Sequence, residues 1–106
     1  MNSKMESIML LRFIGLMKKA NAVSFSESKC EEDIRSGRSC LLLFAADCSE
    51  RARSRMEKIA SSFHVNSIRL EFSKAELASA LGSGSCSMVS INDRGFAESF
   101  LSKISI

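Results

Sequence analysis

The sequence contains no proline, tryptophan or tyrosine, and it has a single histidine, His64. The first three absences exclude no class of function, but one imidazole leaves few nitrogen ligands for a metal ion. The cysteines form no C-x-x-C pair and stand at no zinc-ligand spacing from the histidine; they are Cys30, Cys40, Cys48 and Cys86. This pattern argues against a zinc module and against a disulfide framework. We expect neither a metal ion nor a cofactor.

Catalytic motifs are also missing. There is no glycine-rich phosphate loop, and no local arrangement of Ser, His and Asp or of Cys and His that would pair a nucleophile with a base. Cys48 precedes a predicted helix start, but we interpret its thiol as packed rather than reactive. We therefore expect that the chain is not an enzyme.

No apolar run reaches the length of about 20 residues that a membrane span needs. The stretch 1–17 is rich in apolar residues, but Arg12 interrupts it, Lys18 and Lys19 follow it, and no small-residue cleavage pattern ends it. We therefore do not interpret it as a secretory signal. We predict a cytoplasmic protein with reduced thiols and no membrane partner.

The chain is mildly basic, with a formal net charge of +3 and a sequence pI near 8.8. This balance permits a nucleic-acid partner without demanding one, because strong electrostatic readers of phosphate are usually far more basic. The 106 residues, of which 45% are hydrophobic, suffice for one core and not for two. We expect a single domain over residues 1–106.

The run Cys40–Ala46 is the longest uninterrupted apolar stretch that turn-forming residues bound on both sides. It does not alternate apolar and polar residues, so it predicts a strand that is buried on both faces, in the middle of a sheet covered by helices. In open α/β sheets the functional crevice usually lies beyond the carboxyl ends of the strands. This rule directs attention to Asp47 and its neighbours.

Helical and strand periodicities alternate along the whole chain. Together they predict a three-layer α/β/α sandwich with a mixed four-stranded sheet and about five helices. The strands are expected at 22–25, 40–46, 67–72 and 86–91. The helices are expected at about 4–20 and 27–36, after Ser49 or Asp47 up to residue 63, from the Ser73 to Glu76 capping box up to Gly82, and after Asp93.

The predicted helix faces divide into apolar and charged positions. The first helix should bury a wide stripe, made of Met5, Ile8, Met9, Leu11, Phe13, Ile14, Leu16, Met17 and Ala20. The third should bury Ala52, Met56, Ile59, Ala60 and Phe63. We interpret four acids on the second helix as a solvated face; they are Glu27, Glu31, Glu32 and Asp33. A basic row on the third helix fits solvation first and a nucleic-acid footprint second; it comprises Arg51, Arg55 and Lys58.

Several short segments, in the right order and at the right distances, resemble a known protein group. They are Gly15-Leu16-Met17-Lys18-Lys19-Ala20, Ile34-Arg35-Ser36-Gly37-Arg38-Ser39, Ala46-Asp47-Cys48-Ser49, Ser73-Lys74-Ala75-Glu76-Leu77 with Leu81-Gly82, and Asp93-Arg94-Gly95-Phe96-Ala97. Together they resemble the bacterial YlxQ-type branch of the L-seven-Ae / L-thirty-e ribosomal-protein superfamily. Nearly the whole chain takes part in this resemblance.

The resemblance implies an α/β/α sandwich that recognises kink-turn or related RNA with two elements: the start of the second helix and an apolar loop before the last strand. The first element falls on residues 26–32, where Ser26 stands in place of the usual glycine and Glu32 in place of the usual lysine. Ser28 and Lys29 keep polar groups for base edges. The second falls on Ser83, Gly84 and Ser85, which lack apolar side chains. These departures predict a degenerate site.

The first hypothesis is a ribosome-associated accessory protein that binds a structured RNA, with ribosomal RNA as one candidate. Its site would comprise Ser26, Ser28, Lys29, Ser83, Gly84 and Ser85. Phosphate contacts would come from Lys18, Lys19, Arg38 and Lys74, although helix capping explains Lys18 and Lys19 equally well. The alternative is a protein-interaction module on the same fold that has lost RNA binding. The acidic second helix beside the basic third helix would then form a dipolar docking surface.

Overall fold

The computed structural model describes residues 3–104 of the chain, and the side chains of residues 6–104. Helices and strands alternate along it as the sequence predicts. The elements are α1 (Ser3–Lys19), β1 (Val23–Ser24), α2 (Glu27–Arg35), β2 (Leu41–Phe44), α3 (Glu50–Ser62), β3 (Ser67–Arg69), α4 (Lys74–Leu81), β4 (Met88–Ile91) and α5 (Arg94–Ile104). Each strand is shorter than predicted.

Within the described part of the chain, no helix combines the length and apolar composition needed to cross a membrane.

The four strands form one mixed sheet in the order β1-β4-β2-β3. β2 pairs with β3 in parallel, whereas β4 runs antiparallel to both β2 and β1. Helix α1 contacts both α4 and α5, and α2 contacts α3, which gives a helix layer on each face of the sheet. The predicted three-layer α/β/α sandwich is confirmed.

The two interior strands, β2 and β4, are buried at every position. For β2 this confirms the strand predicted to be covered on both faces. For β4 the alternation of serines with apolar residues in 86–91 would predict one exposed face, but Ser90 is as fully buried as Val89 and Ile91. The Ser90 hydroxyl tolerates burial because it is hydrogen-bonded to Ser39 Oγ at 2.7 Å and donates to Asn92 Oδ1 at 2.6 Å.

Local capping chemistry explains where the helices begin and end. The Ser26 hydroxyl caps α2 by accepting the Lys29 amide, and Ser49, not Asp47, caps α3 by accepting the Ala52 amide. The predicted capping box at the start of α4 is present in both directions. Gly82 ends α4 in the left-handed conformation, with φ 66° and ψ 32°.

The stripe that α1 buries is narrower than predicted. Ile14 and Met17 are fully buried, but Ile8, Met9 and Leu16 are 41%, 58% and 54% exposed. Predicted Met5 lies outside the residues whose side chains are described. The close approach of α1 to α4 depends on glycine, because a Cβ on Gly15 would lie 3.0 Å from the carbonyl oxygen of Ala80.

The predicted stripe of α3 is also confirmed only in part. Met56 and Ala60 are buried, and Ala52 and Ile59 pack against the core. Phe63 is 42% exposed because it stands at the C-terminal cap, where the helical periodicity no longer fixes its direction. Its ring lies 5.8 Å from the Arg35 guanidinium.

Candidate nucleic-acid interface

The predicted RNA-binding elements meet at one edge of the sheet. β1 and β2 are each antiparallel to β4, so they run parallel to each other, and β3 runs parallel to β2. The carboxyl ends of these three strands therefore lie at the same edge as the start of β4. The first turn of α2 and the loop Ser83–Ser85 both lie at this edge, where ligands commonly bind in α/β sheets.

Lys18, in the last turn of α1, links the two elements directly. Its ammonium lies 5.8 Å from the ring centroid of Phe25, the residue that precedes Ser26. The same ammonium lies 3.8 Å from the position that a Cβ on Gly82 would occupy, and Gly82 precedes Ser83. Among the described residues, no carboxylate forms an ion pair with Lys18. The charge is therefore available to a ligand.

Two packed thiols lie beneath the same elements. Cys30 lies one turn into α2 and donates to the carbonyl oxygen of Ser24, and Cys86 follows the Ser83–Ser85 loop and donates to that of Met88. Burial raises the pKa of Cys30 to about 12, with the neighbouring Cys86 adding to the rise, and raises the pKa of Cys86 to about 11. Both are neutral packing groups, not nucleophiles.

The start of α2 uses one hydroxyl for capping and leaves another exposed. The Ser26 hydroxyl is held by the Lys29 amide at 3.2 Å, and the Ser26 carbonyl accepts the Cys30 amide. Helix geometry leaves the amides of Glu27 and Ser28 without intrahelical acceptors. The exposed Ser28 side chain has no partner in the described part of the chain, so it can reach a ligand.

Glu32 forms ion pairs with two basic side chains of this region. Its Oε2 lies 3.0 Å from Lys29 Nζ and 3.3 Å from Arg38 Nη2. Arg38 follows the far end of α2, about 13 Å along the helix from Ser26. The structure thus joins Lys29 and Arg38 in one ion-pair network, and it places Arg38 away from the Ser83–Ser85 loop.

The prediction that all four acids of α2 form a solvated face is wrong for Asp33. It is 1% exposed and accepts hydrogen bonds from Ser24, Arg38 and Asn92. Burial alone would raise its pKa, but the hydrogen bonds from Ser24 and Arg38, the charge of Lys29 and the Asn92 amide together lower it. Asp33 is therefore a charged structural tie between α2, β1 and the end of β4.

The loop Ser83–Ser85 is polar and open. Ser83 is half-buried and donates to the carbonyl oxygen of Ser85 at 3.3 Å, and the Ser83 amide completes the end of α4 by bonding to Ala78 O. Gly84 and Ser85 are exposed. The loop therefore offers backbone groups and hydroxyls to a ligand but no apolar surface for a base to pack on.

Lys74 and Asp47 lie at the same sheet edge, beside α4. Asp47 Oδ1 accepts the Lys74 amide at 2.7 Å, so this carboxylate is fixed to the start of α4. The next residue, Cys48, is buried; burial raises the pKa of its thiol, the charge of Glu27 adds to the rise, and the charge of Lys74 opposes it. Asp47 thus ties the segment after β2 to the start of α4.

The charges of α2 and α3 largely neutralise one another. Arg55 Nη1 lies 3.1 Å from Glu27 Oε2, and Arg55 Nη2 lies 2.7 Å from Glu31 Oε1. These ion pairs join the two helices. The hydrogen bonds from Arg55 and Arg35 lower the pKa of Glu31. The opposite charges that were predicted to form a dipolar docking surface on these helices therefore pair with each other within the chain.

Pairing divides the basic residues into two groups. Those with carboxylate partners all belong to α2, α3 or the turn after α2; they are Lys29, Arg35, Arg38, Arg53 and Arg55. Across residues 6–104, the cations of α1 have no such partner; they are Arg12, Lys18 and Lys19. The lysines that end α1 therefore keep their positive charge for a ligand at this end of the fold, as do Lys74 and Arg69, which have no carboxylate partner among the described residues either.

Three residues of this region were not identified as site residues from the sequence. Asp33 is held by Ser24 and Asn92, which are 9 and 59 residues away in sequence, so no local pattern marks it. Arg12 only interrupted an apolar run. Phe25 was expected only as part of the strand 22–25, and its contact with Lys18 depends on how α1 packs against β1. Within residues 6–104, no three Cys, His, Asp or Glu side chains come together as a metal site.

Comparison with known proteins adds evidence on the fold. No family model matches the sequence, and no curated protein matches it. A protein of unknown function from Bacillus halodurans is similar in structure, with a TM-score of 0.85, 16% identity, and coverage of 92% of this chain and 97% of that one. The Giardia lamblia 15.5kD RNA binding protein is similar with a TM-score of 0.76, 17% identity, and coverage of 98% and 90%. These likenesses establish the fold.

Proposed function

We propose that this chain binds structured RNA through the start of α2, the loop Ser83–Ser85 and the lysines that end α1. The observation that carries the proposal is the position of Lys18, whose unpaired ammonium lies beside both Phe25 and Gly82. One cation thus lies where the two elements meet. The likeness to an RNA-binding protein from Giardia lamblia supports the same reading.

In this proposal the contacts to phosphate dominate. Lys18 and Lys19 hold backbone phosphates, the free amides at the start of α2 add partial positive charge, and Lys74 extends the charged surface along the same edge. Ser28 reaches base edges, and so does Lys29 once it leaves Glu32. Because the Ser83–Ser85 loop offers no apolar contact to a base, affinity depends more on charge and RNA shape than on sequence.

The finer assignment rests on the resemblance. A kink-turn is the RNA that the superfamily implies, and a ribosomal location and the YlxQ-type branch follow from the same motifs. Arg38 and Lys29 would take part only if phosphate displaces Glu32, whose exposed ion pairs cost little to break. The cytoplasmic location and the absence of enzymatic activity stay predictions.

A protein-interaction module remains the alternative function. Its docking surface was predicted from the sequence on α2 and α3. The opposite charges of these two helices pair with each other through Arg55. We therefore expect a protein partner to bind another part of the surface, the exposed face of α1.

Titration of labelled RNA tests the proposal. The chain is added to a fluorescent kink-turn RNA and to an unrelated hairpin of equal length, at low and at physiological salt, and anisotropy is measured. We expect preference for the kink-turn at physiological salt, with a slope of log K against log salt of about −2 to −3, corresponding to about three or four phosphate contacts. Equal binding of both RNAs that vanishes with salt would contradict specific recognition.

A further inference from the structure

The exposed face of α1 combines apolar and basic side chains. Ile8, Arg12, Leu16 and Lys19 recur at spacings of four, four and three residues, so they share one side of the helix. Ile8 and Leu16 are about half exposed, and Met9, at the margin of this side, is 58% exposed. Ile8 and Leu16 lie about two turns apart with Arg12 between them, so exposed apolar and basic side chains alternate along this side of the helix.

This face borders a groove between α1 and α4. The groove is lined on the α1 side by Ile8, Leu11, Arg12, Gly15 and Leu16, and on the α4 side by Ser79 and Ala80. At Gly15 the backbones of the two helices approach closely, because no Cβ separates them. From Ile8 to Lys19 the groove is about 17 Å long, which matches about three turns of an α-helix.

The rim of the groove is positive. Arg12 and Lys19 have no carboxylate partner among the described residues. The acid that lines the groove, Glu76, is engaged in its own capping box, where Oε1 accepts the Ser73 amide at 2.9 Å. An occupant therefore meets apolar side chains beside Arg12 and Lys19, with the Glu76 carboxylate on the α4 side.

We propose that the groove between α1 and α4 binds an acidic amphipathic helix of a protein partner. Leucine-like side chains at i, i+3, i+4 and i+7 would cover Ile8, Met9 and Leu16, and flanking carboxylates would pair with Arg12 and Lys19. The proposal goes beyond RNA binding and does not require it; Lys19 belongs to both surfaces, so RNA and the partner helix would compete for it.

Other occupants fit less well. RNA phosphates would satisfy Arg12 and Lys19 but would leave the apolar side chains of Ile8 and Leu16 in water. A second copy of this chain, paired about a two-fold axis through the middle of α1, would place Arg12 against its own symmetry mate. An anionic lipid surface suits a convex amphipathic helix better than a groove with α4 as its second wall.

A designed peptide serves as the probe. It is a fluorescein-labelled helical 15-mer with leucines at helical spacing and glutamates at the other positions, and its counterpart has lysines in place of the glutamates. Anisotropy is measured with the full chain at physiological salt, and backbone amide shifts locate the site. We expect the acidic peptide to bind at least tenfold tighter than the basic one and to shift amides of α1 and α4.

Matched variants separate the groove from the rest of the surface. Leu16→Ser and Arg12→Glu should each weaken binding of the acidic peptide at least fivefold. Phe63→Ser and Arg51→Glu change an exposed aromatic and an exposed arginine elsewhere and should leave binding within twofold.

Four results would overturn the proposal. They are equal binding of the acidic and basic peptides, insensitivity to both Leu16→Ser and Arg12→Glu, amide shifts confined to other elements, and a preference for phosphatidylserine vesicles that the same two variants abolish. Circular dichroism of each variant confirms that a loss of binding is not a loss of folding.

Discussion

Arg38 donates two hydrogen bonds to a single carboxylate oxygen of the buried Asp33, from Nε at 3.0 Å and from Nη2 at 2.7 Å. The other carboxylate oxygen accepts from Ser24 and, at 3.0 Å, from Asn92 Nδ2. Asp33 thereby ties the end of α2 and the turn after it to β1 and to the end of β4. A buried carboxylate with this many donors is a structural centre, because the Ser24 hydroxyl and Arg38 Nε lose their acceptor if the carboxylate is removed.

Asp33→Ala should destabilise the protein by about 3 kcal/mol, the lower end for breaking a buried charge pair, since the half-exposed Arg38 regains some hydration. Glu32→Ala, one residue away, should cost less than about 1 kcal/mol because its ion pairs are exposed. Urea unfolding of the two variants measures both values. Similar costs for the two would contradict the structural role of Asp33.

Asp33 should also make the protein sensitive to acid. Its pKa is lower in the folded state than in the unfolded state, so the unfolded chain takes up the proton first as the pH falls. The stabilisation is complete above the unfolded-state pKa and is lost as the pH falls through the folded-state pKa.

Asp33→Asn should therefore reduce the pH slope of the unfolding free energy in this acid range by up to about 1.4 kcal/mol per pH unit, the value for one proton. A smaller slope should remain, because the pKa of Glu31 is also lowered, by hydrogen bonds from Arg55 and Arg35. Urea titrations at closely spaced pH values measure the slopes. Identical slopes in the wild type and Asp33→Asn would show that Asp33 does not hold its charge as described.

His64→Gly should stabilise the fold by about 0.5–1 kcal/mol. His64 follows α3 with φ 60°, a left-handed conformation that costs a residue with a Cβ more than it costs glycine. Asn21 has nearly the same φ, 59°, but the short polar side chain of asparagine can hydrogen-bond locally in this conformation, so Asn21→Gly should gain less. Thermal or urea unfolding compares the two, and a loss of stability in His64→Gly would refute the argument.

The features predicted correctly from the sequence are those that neighbouring residues determine. Ser26, Ser49 and the pair Ser73 and Glu76 cap their helices with bonds that span three residues. Gly82 ends α4 for a reason that lies in its own backbone. The strand β2 could be recognised because residues that are apolar at every position fit only an interior strand.

The errors concern residues whose surroundings come from distant parts of the chain. Ser90 and Asp33 are polar residues that burial normally excludes, and they are buried here because Ser39 and Asn92 supply hydrogen bonds from elsewhere in the sequence. Leu16 continues an apolar period but lies on a side of α1 that no other described element covers. The site depends in the same way on Lys18, whose neighbours Phe25 and Gly82 are 7 and 64 residues away.

Glu32→Lys should strengthen RNA binding. The substitution removes the carboxylate that holds Lys29 and Arg38, and it places a cation where the resemblance expects one. We expect roughly a tenfold gain in affinity for kink-turn RNA and a salt slope that is steeper by about one phosphate contact. Glu98→Lys, an equal charge change at an exposed position of α5, is the control. An equal gain in both variants would reduce the effect to net charge.

The measurement that tests the account most directly is the affinity of Lys18→Glu for a labelled kink-turn RNA at physiological salt, compared with that of Lys58→Glu. Both residues are exposed lysines without a carboxylate partner among the described residues, but Lys58 lies on α3. We predict a loss of about tenfold or more for Lys18→Glu and less than twofold for Lys58→Glu. Equal losses, or none in Lys18→Glu, would contradict the claim that Lys18 joins the two elements of an RNA site.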